Sequence, residues 1–230
     1  MINIKQLIKS SKILLYLTAF TPFILAAKFI FPYMVVRTVF FRIIIELILI
    51  VFLYLLTLGR IKFSNAKNNY FLWVFSGLLL IEFIAAALGE SWWFSFFGDL
   101  ERIWGLFTVT HLFLFYFFIR SWFGRKEWNI FLNVSLAASL LVSGYGIIQR
   151  FPEFFDIYVF EAGAGRITST LGNPAYVSIY VLFSIAFAFY LFWQNRSESV
   201  RYYYLAVIFI NLFAFSLTEV RGAYLGAVIG

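Results

Sequence analysis

The sequence predicts an all-α fold, a polytopic bundle of transmembrane helices, and three observations carry that reading. Hydrophobic residues make up 63% of the 230 residues and charged residues 13%, with a mean hydropathy of +0.90. A water-soluble domain of this length could not hide so much apolar surface. The apolar residues fall in runs of about 20, the length a helix needs to cross about 30 Å of hydrocarbon. Lipid leaves only helices or a closed barrel, because every backbone polar group must be paired internally. Barrel strands would alternate apolar and polar over about 10 residues; here 176–193 and 202–218 are continuous and uncharged.

Taken in order, spans are expected at about 13–31, 38–58, 70–88, 104–121, 128–148, 173–193 and 202–218, with an eighth starting at 222. Lys5, Lys9 and Lys12 precede the first run, and no small-residue cleavage site follows it, so it reads as a retained span and not a signal peptide. The second span follows Phe31-Pro32-Tyr33 and carries Arg37, Arg42 and Glu46. Arg42 and Glu46 are four residues apart on one helix face, positioned for an ion pair. The third span holds Glu82, a candidate partner for an outer arginine that the sequence does not single out. The fourth holds His111, the lone histidine, read as a hydrogen-bonded packing residue. The sixth opens with Gly172-Asn173-Pro174: Asn173 suits the N-cap, and Pro174 suits the first helical position, where its missing N–H costs nothing. The eighth needs roughly ten more residues to cross. The expectation is one transmembrane domain over 1–230, the N-terminal portion of a longer protein, with no soluble domain.

The net charge of +7 is unevenly distributed. Lys5, Lys9, Lys12, Arg60, Lys62, Lys67, Arg120, Arg125, Lys126, Arg196 and Arg201 fall in one set of loops, with only Glu127 and Glu198 opposing them. The positive-inside rule puts that set, and the N-terminus, in the cytoplasm. The basic excess is a topology signal spread over short loops, which argues against a nucleic-acid partner. The chain has no cysteine and one histidine, so disulfides, thiolate metal sites and histidine clusters are excluded within it.

Arginine recurs at the opposite, outer ends of the spans: Arg37, Arg42, Arg102, Arg150, Arg166 and Arg221. Singly, each could snorkel to headgroup phosphates. Together they suggest an outward cationic pocket. Arg166 and Arg221 adjoin glycine, which permits close approach, and the planar guanidinium fork suits phosphate. Asn173, at an outward helix N-terminus, belongs to an anion site in the same reading. The loop Trp92-Trp93-Phe94-Ser95-Phe96-Phe97 fits the membrane interface, and an aromatic shelf there could also stack on sugars or cover a lipid carrier.

At these residues the chain resembles the O-antigen ligase and O-antigen polymerase superfamily. The motifs are Phe41-Arg42 with Glu46; Gly98-Asp99-Leu100-Glu101-Arg102 with Gly105 and His111; Tyr145-Gly146 with Gln149; Arg166 with Thr168-Ser169-Thr170-Leu171-Gly172-Asn173-Pro174; and Thr218 with Arg221-Gly222-Ala223. The resemblance covers most of the chain from about Phe20. It implies a membrane-embedded, GT-C-like glycosyltransferase of the bacterial plasma (inner) membrane, active on its outer face in lipopolysaccharide or other envelope polysaccharide synthesis. Such a protein moves a glycan from undecaprenyl pyrophosphate to a glycan, lipid core or protein acceptor, with no nucleotide sugar, no metal and no other cofactor. Arg166 and Arg221 look most like the family's pyrophosphate-binding arginines, with Arg102, Arg150 and Asn173 as further candidates. The family's large outer loop, with its acceptor-side histidine, lies later in the chain, and His111 is not its counterpart. The acceptor's base is therefore expected outside these residues, with Glu101 or Asp99 the candidates within them, and the 230 residues alone are expected to be inactive. Two other classes compete: a transporter or flippase for an anionic lipid or solute, against which the absence of a detectable repeat argues, and a non-catalytic membrane scaffold.

Overall fold

The computed structural model describes residues 4–26, 28–60, 70–155 and 165–229. Among them every regular element is helical: α1 (Ile4–Leu17), α2 (Met34–Thr57), α3 (Tyr70–Leu88), α4 (Trp92–Phe97), α5 (Leu106–Trp122), α6 (Arg125–Arg150), α7 (Pro152–Phe155), α8 (Pro174–Gln194), α9 (Glu198–Leu217) and α10 (Arg221–Ile229), with short 3-10 turns at Thr18–Phe23 and Ser169–Leu171. Five of these, α2, α3, α6, α8 and α9, are long and apolar enough to cross a membrane, and α5 is a shorter apolar helix of 17 residues. The chain is thus a helical membrane protein. Of the topology markers, Lys62 and Lys67 lie outside the described residues.

The first expected span is not one continuous helix. α1 starts at Ile4, well before the expected 13, and its α-helical part ends after 14 residues. The Thr18 hydroxyl donates to the Leu15 carbonyl at 2.6 Å, and the chain tightens into a 3-10 turn containing Pro22. Proline has no N–H to give and pushes the preceding residue out of the α region, so the run of apolar residues does not become a run of α-helix.

The chain forms two compact units. The first comprises Met1–Thr21 and Met34–Glu127. In it α1, α2 and α5 bury Leu15, Ile45, Ile48, Phe52 and Phe118 together, while α3 and α4 pack on α5. The Phe75–Phe113 ring contact (5.4 Å between centroids) joins α3 to α5, and Phe83–Trp92 (5.6 Å) joins α3 to α4. α3 buries only Ala86, so almost its whole apolar surface is left for lipid. Glu127 closes the unit: it accepts from Lys12 Nζ at 2.7 Å and from the Gly124 N–H at 3.0 Å, tying α1 to the first turn of α6.

The second unit comprises Pro22–Tyr33 and Trp128–Gly230. Its core joins α6, α8 and α9 through residues such as Leu136, Val142, Val181, Leu191 and Val207. A polar ladder runs through it. Asn211, fully buried, accepts from Ser143 Oγ at 2.9 Å and donates to Val207 O at 2.8 Å and Ser139 Oγ at 3.3 Å. Tyr204 donates to Asn133 Oδ1 at 3.0 Å. Within hydrocarbon such interhelical bonds contribute roughly 0.6–2 kcal/mol each, and they fix the register of α9 on α6, which apolar side chains alone specify weakly.

Candidate functional site

The second unit holds a loop whose folding is set by one side chain. Gln149, in the last turn of α6, is buried. Its Oε1 accepts from the Thr168 and Ser169 N–H groups at 3.0 and 2.8 Å, and its Nε2 donates to Thr168 Oγ1 at 3.0 Å. Ser169, held in the left-handed region (φ 47°), donates its hydroxyl to the Val142 carbonyl at 2.6 Å. Gly146 makes room: a Cβ there would lie 3.0 Å from Ile167 and 3.3 Å from Ser169. Thr170 Oγ1 donates to the Pro22 carbonyl at 2.7 Å. Gly172, at φ 73°, lies so close to the Tyr33 ring that a Cβ would approach it to 2.5 Å. Burial, with Tyr145 alongside, pushes the Tyr33 phenol above its ordinary range. Asn173 then caps α8 by accepting from the Ala175 N–H at 2.8 Å, with Pro174 at the first helical position, as the sequence predicted.

This loop carries Arg166 to the turn before α10. Arg166 Nε donates to the Thr218 carbonyl at 3.0 Å, and the neighbouring Ile167 N–H donates to Leu217 O at 3.3 Å. Thr218, fully buried, donates to Phe215 O at 2.7 Å; Glu219 takes a left-handed turn at φ 50°; and α10 starts at the exposed Arg221. The two arginines singled out by the sequence thus belong to one corner, Arg166 being bonded three residues before Arg221. Among the described residues, only the Nε of Arg166 is engaged. Among the described residues its two terminal nitrogens, and the Arg221 guanidinium, have no hydrogen bond or ion pair. Chemically this is a pair of cations beside a helix N-terminus, with phosphate-sized donors available. Arg150 is exposed, its guanidinium 5.6 Å from the Phe151 ring centroid, so it belongs to the unit without joining that corner by any bond. The side-chain oxygen of Asn173 is occupied by its own helix.

The remaining site candidates lie in the first unit. Gly98 and Gly105 pack backbone to backbone: a Cβ on Gly105 would meet Gly98 N and Phe96 O at 2.5 Å. Asp99 Oδ1 accepts from the Arg102 N–H at 2.5 Å, and Asp99 O accepts from the Ile103 N–H at 2.8 Å. Asp99 therefore closes the turn, while the side chains of Glu101 and Arg102 are exposed and unpaired among the described residues. Ile103 adopts φ 46°, which turns its carbonyl toward α2. Arg42 Nη2 donates to that carbonyl at 2.7 Å and also to Thr108 Oγ1, with its guanidinium 4.8 Å over the Phe107 ring.

The expected Arg42–Glu46 ion pair does not form. Both share the face of α2 that meets α5, and α5 and the loop before it offer each a partner: Thr108 and the Ile103 carbonyl for Arg42, His111 for Glu46. His111 is buried, as expected of a packing residue, with Nδ1 2.7 Å from Phe107 O and Nε2 3.2 Å from Glu46 Oε1. A carbonyl only accepts, so the contact to Phe107 O assigns the hydrogen to Nδ1. Glu82, expected to meet an arginine, has no ion pair among the described residues.

Sequence reasoning named Gln149 and Thr218 as parts of motifs without giving either a role. The usable signal was a lone amide in the last turn of an apolar helix, where a polar side chain must find partners. Thr108 was missed altogether. Compared with known proteins, the chain matches no family model, and neither a curated protein nor a solved structure is significantly similar to it.

Proposed function

We propose that the chain is a membrane-embedded glycan transferase of the O-antigen ligase kind, whose Arg166–Arg221 corner binds the pyrophosphate of an undecaprenyl-linked glycan. The observation that carries this is the Arg166–Thr218 bond, which links two motifs more than fifty residues apart and leaves two cationic groups unpaired among the described residues. Breaking a sugar–pyrophosphate bond builds negative charge on the departing phosphate, and preorganised cations stabilise that charge most where water is scarce. Arg166 is preorganised because its Nε is already fixed, so its remaining nitrogens can engage phosphate with little further ordering. Charge asymmetry along the sequence supports an outward-facing corner and a cytoplasmic N-terminus in a bacterial plasma membrane. The acceptor is a glycan, a lipid core or a protein.

The test is binding of a short-chain prenyl pyrophosphate to the protein in nanodiscs, with the prenyl monophosphate and alcohol as comparisons. The pyrophosphate is expected to bind most tightly. Hydrogen bonds to charged groups contribute roughly 1.5–3 kcal/mol each, so Arg166→Ala or Arg221→Ala should weaken binding about tenfold to a hundredfold, with Lys at either position restoring part of it. Arg201→Ala, whose guanidinium stacks on Phe192 at 4.3 Å, is the control and should be silent. Wild-type affinity in both alanine variants would make these arginines membrane-interface anchors and end the proposal.

A further inference from the structure

Within the first unit, α3, α4 and the start of α5 border an open recess of about 310 Å³ lined by Glu82, Ala85, Ser95, Trp104, Gly105 and Val109, among others. Ala85, Ala86, Leu106 and Val109 supply its apolar lining. Its polar groups are the Glu82 carboxyl and Ser95, and Trp104 supplies an indole that is 64% exposed. No lysine or arginine lines it. Glu82 is six residues before the end of α3, about 9 Å along the helix axis at 1.5 Å per residue. A carboxylate at that depth is costly without a partner, and among the described residues it has none.

We propose that this recess binds a primary ammonium group, with Glu82 as the counter-ion and the Trp104 face as the aromatic wall. The chemistry follows from what lines it. A carboxylate in an apolar cleft is best compensated by a full positive charge, and a neutral hydroxyl leaves most of the cost in place. An indole adjoining the same space attracts a cation through its negative ring face. Ser95 offers an acceptor for another of the three ammonium hydrogens. The volume suits a headgroup-sized amine and excludes a folded peptide or a glycan chain. The same ammonium chemistry is available from an ethanolamine lipid headgroup and from a free small amine. This inference concerns the first unit and stands apart from the pyrophosphate corner.

Native mass spectrometry of the protein released from bilayers of equimolar phosphatidylethanolamine and phosphatidylglycerol reads the result directly. Wild type should retain phosphatidylethanolamine preferentially. Glu82→Gln keeps shape and hydrogen-bonding capacity while removing the charge, and should reduce that retention at least tenfold. Trp104→Ala should reduce it severalfold. Each variant's thermal unfolding is measured alongside, so that loss of fold is not read as loss of binding. Added ethanolamine identifies the source: displacement of the lipid assigns the recess to free amines as well, and persistence of the lipid assigns it to the headgroup. Equal retention of the two lipids by wild type, or wild-type retention in folded Glu82→Gln, overturns the proposal. Prenyl pyrophosphate binding should be unchanged in Glu82→Gln.

Discussion

Two loops in this protein are pinned by the same device with different chemistry. In the first unit a cation, Arg42 on α2, reaches the Ile103 carbonyl of the loop before α5. In the second a neutral amide, Gln149 at the end of α6, reaches the Thr168 and Ser169 N–H groups of the loop before α8. The difference lies in what remains available. In the first unit the holding arginine is part-buried: its Nη2 bonds the Ile103 carbonyl and Thr108, its Nε is buried without a hydrogen-bond partner among the described residues, and Phe107 covers its guanidinium, while the carboxylate near it meets His111. In the second the holding is done without charge, so Arg166 arrives at its corner with terminal nitrogens still unengaged. A charge buried in holding backbone is poorly placed to meet a ligand, and in the second unit an uncharged side chain holds the loop, as the proposed pyrophosphate site requires.

The largest effect should come from removing the neutral pin. Gln149→Leu leaves the N–H groups of part-buried Thr168 and buried Ser169 without their acceptor, at about 1–3 kcal/mol for each unsatisfied group. Thermal or denaturant unfolding in detergent should show a loss of about 2–5 kcal/mol, and prenyl pyrophosphate binding should fall with it because Arg166 is no longer placed. A loss under 1 kcal/mol would mean that other contacts hold the loop.

Removing the charged pin should cost less, which is the sharper half of the comparison. In Arg42→Met the Ile103 carbonyl keeps a donor, since Thr108 Oγ1 already bonds it at 2.6 Å. The substitution also relieves the desolvation of a part-buried guanidinium, so the net loss should be about 1–2 kcal/mol. If Arg42→Met proves more destabilising than Gln149→Leu under the same conditions, the contrast drawn between the two pins is wrong.

The smallest effect is expected at Asn173. Its side chain caps α8, whereas Gly105 at the start of α5 makes no side-chain cap. Asn173→Ala should cost about 1 kcal/mol of stability and change prenyl pyrophosphate affinity less than either arginine variant does. An affinity loss equal to that of Arg166→Ala would move Asn173 from helix cap to ligand contact.

Much of the helix layout is legible in the amino-acid sequence. The third span is expected at 70–88 and is Tyr70–Leu88; the sixth is expected at 173–193 and is Pro174–Gln194, opened by the cap that Asn173-Pro174 announces. These succeed because lipid demands local pairing of the backbone, so a long uncharged run has one solution. The first span fails because hydropathy averages over a window and misses the 3-10 turn that surrounds Pro22. The Arg42–Glu46 pairing fails for a different reason: spacing along one helix says which side chains share a face and nothing of what the facing helix offers.

By itself, then, the sequence determined a helical membrane protein, its longest spans, the start of α8 and the set of arginines set apart from the basic loops. These follow from composition and from contacts between residues a few positions apart. Only the tertiary structure decided which polar groups meet: Gln149 with the backbone of 168–169, Arg42 with Ile103 and Thr108, Glu46 with His111, and Arg166 with the carbonyl of Thr218. Apart from the Gln149 clasp, spanning about twenty residues, those pairings join groups more than fifty positions apart. Each is fixed by the burial of apolar faces that brings the elements together, after which a polar group in a poor solvent bonds the partner within reach.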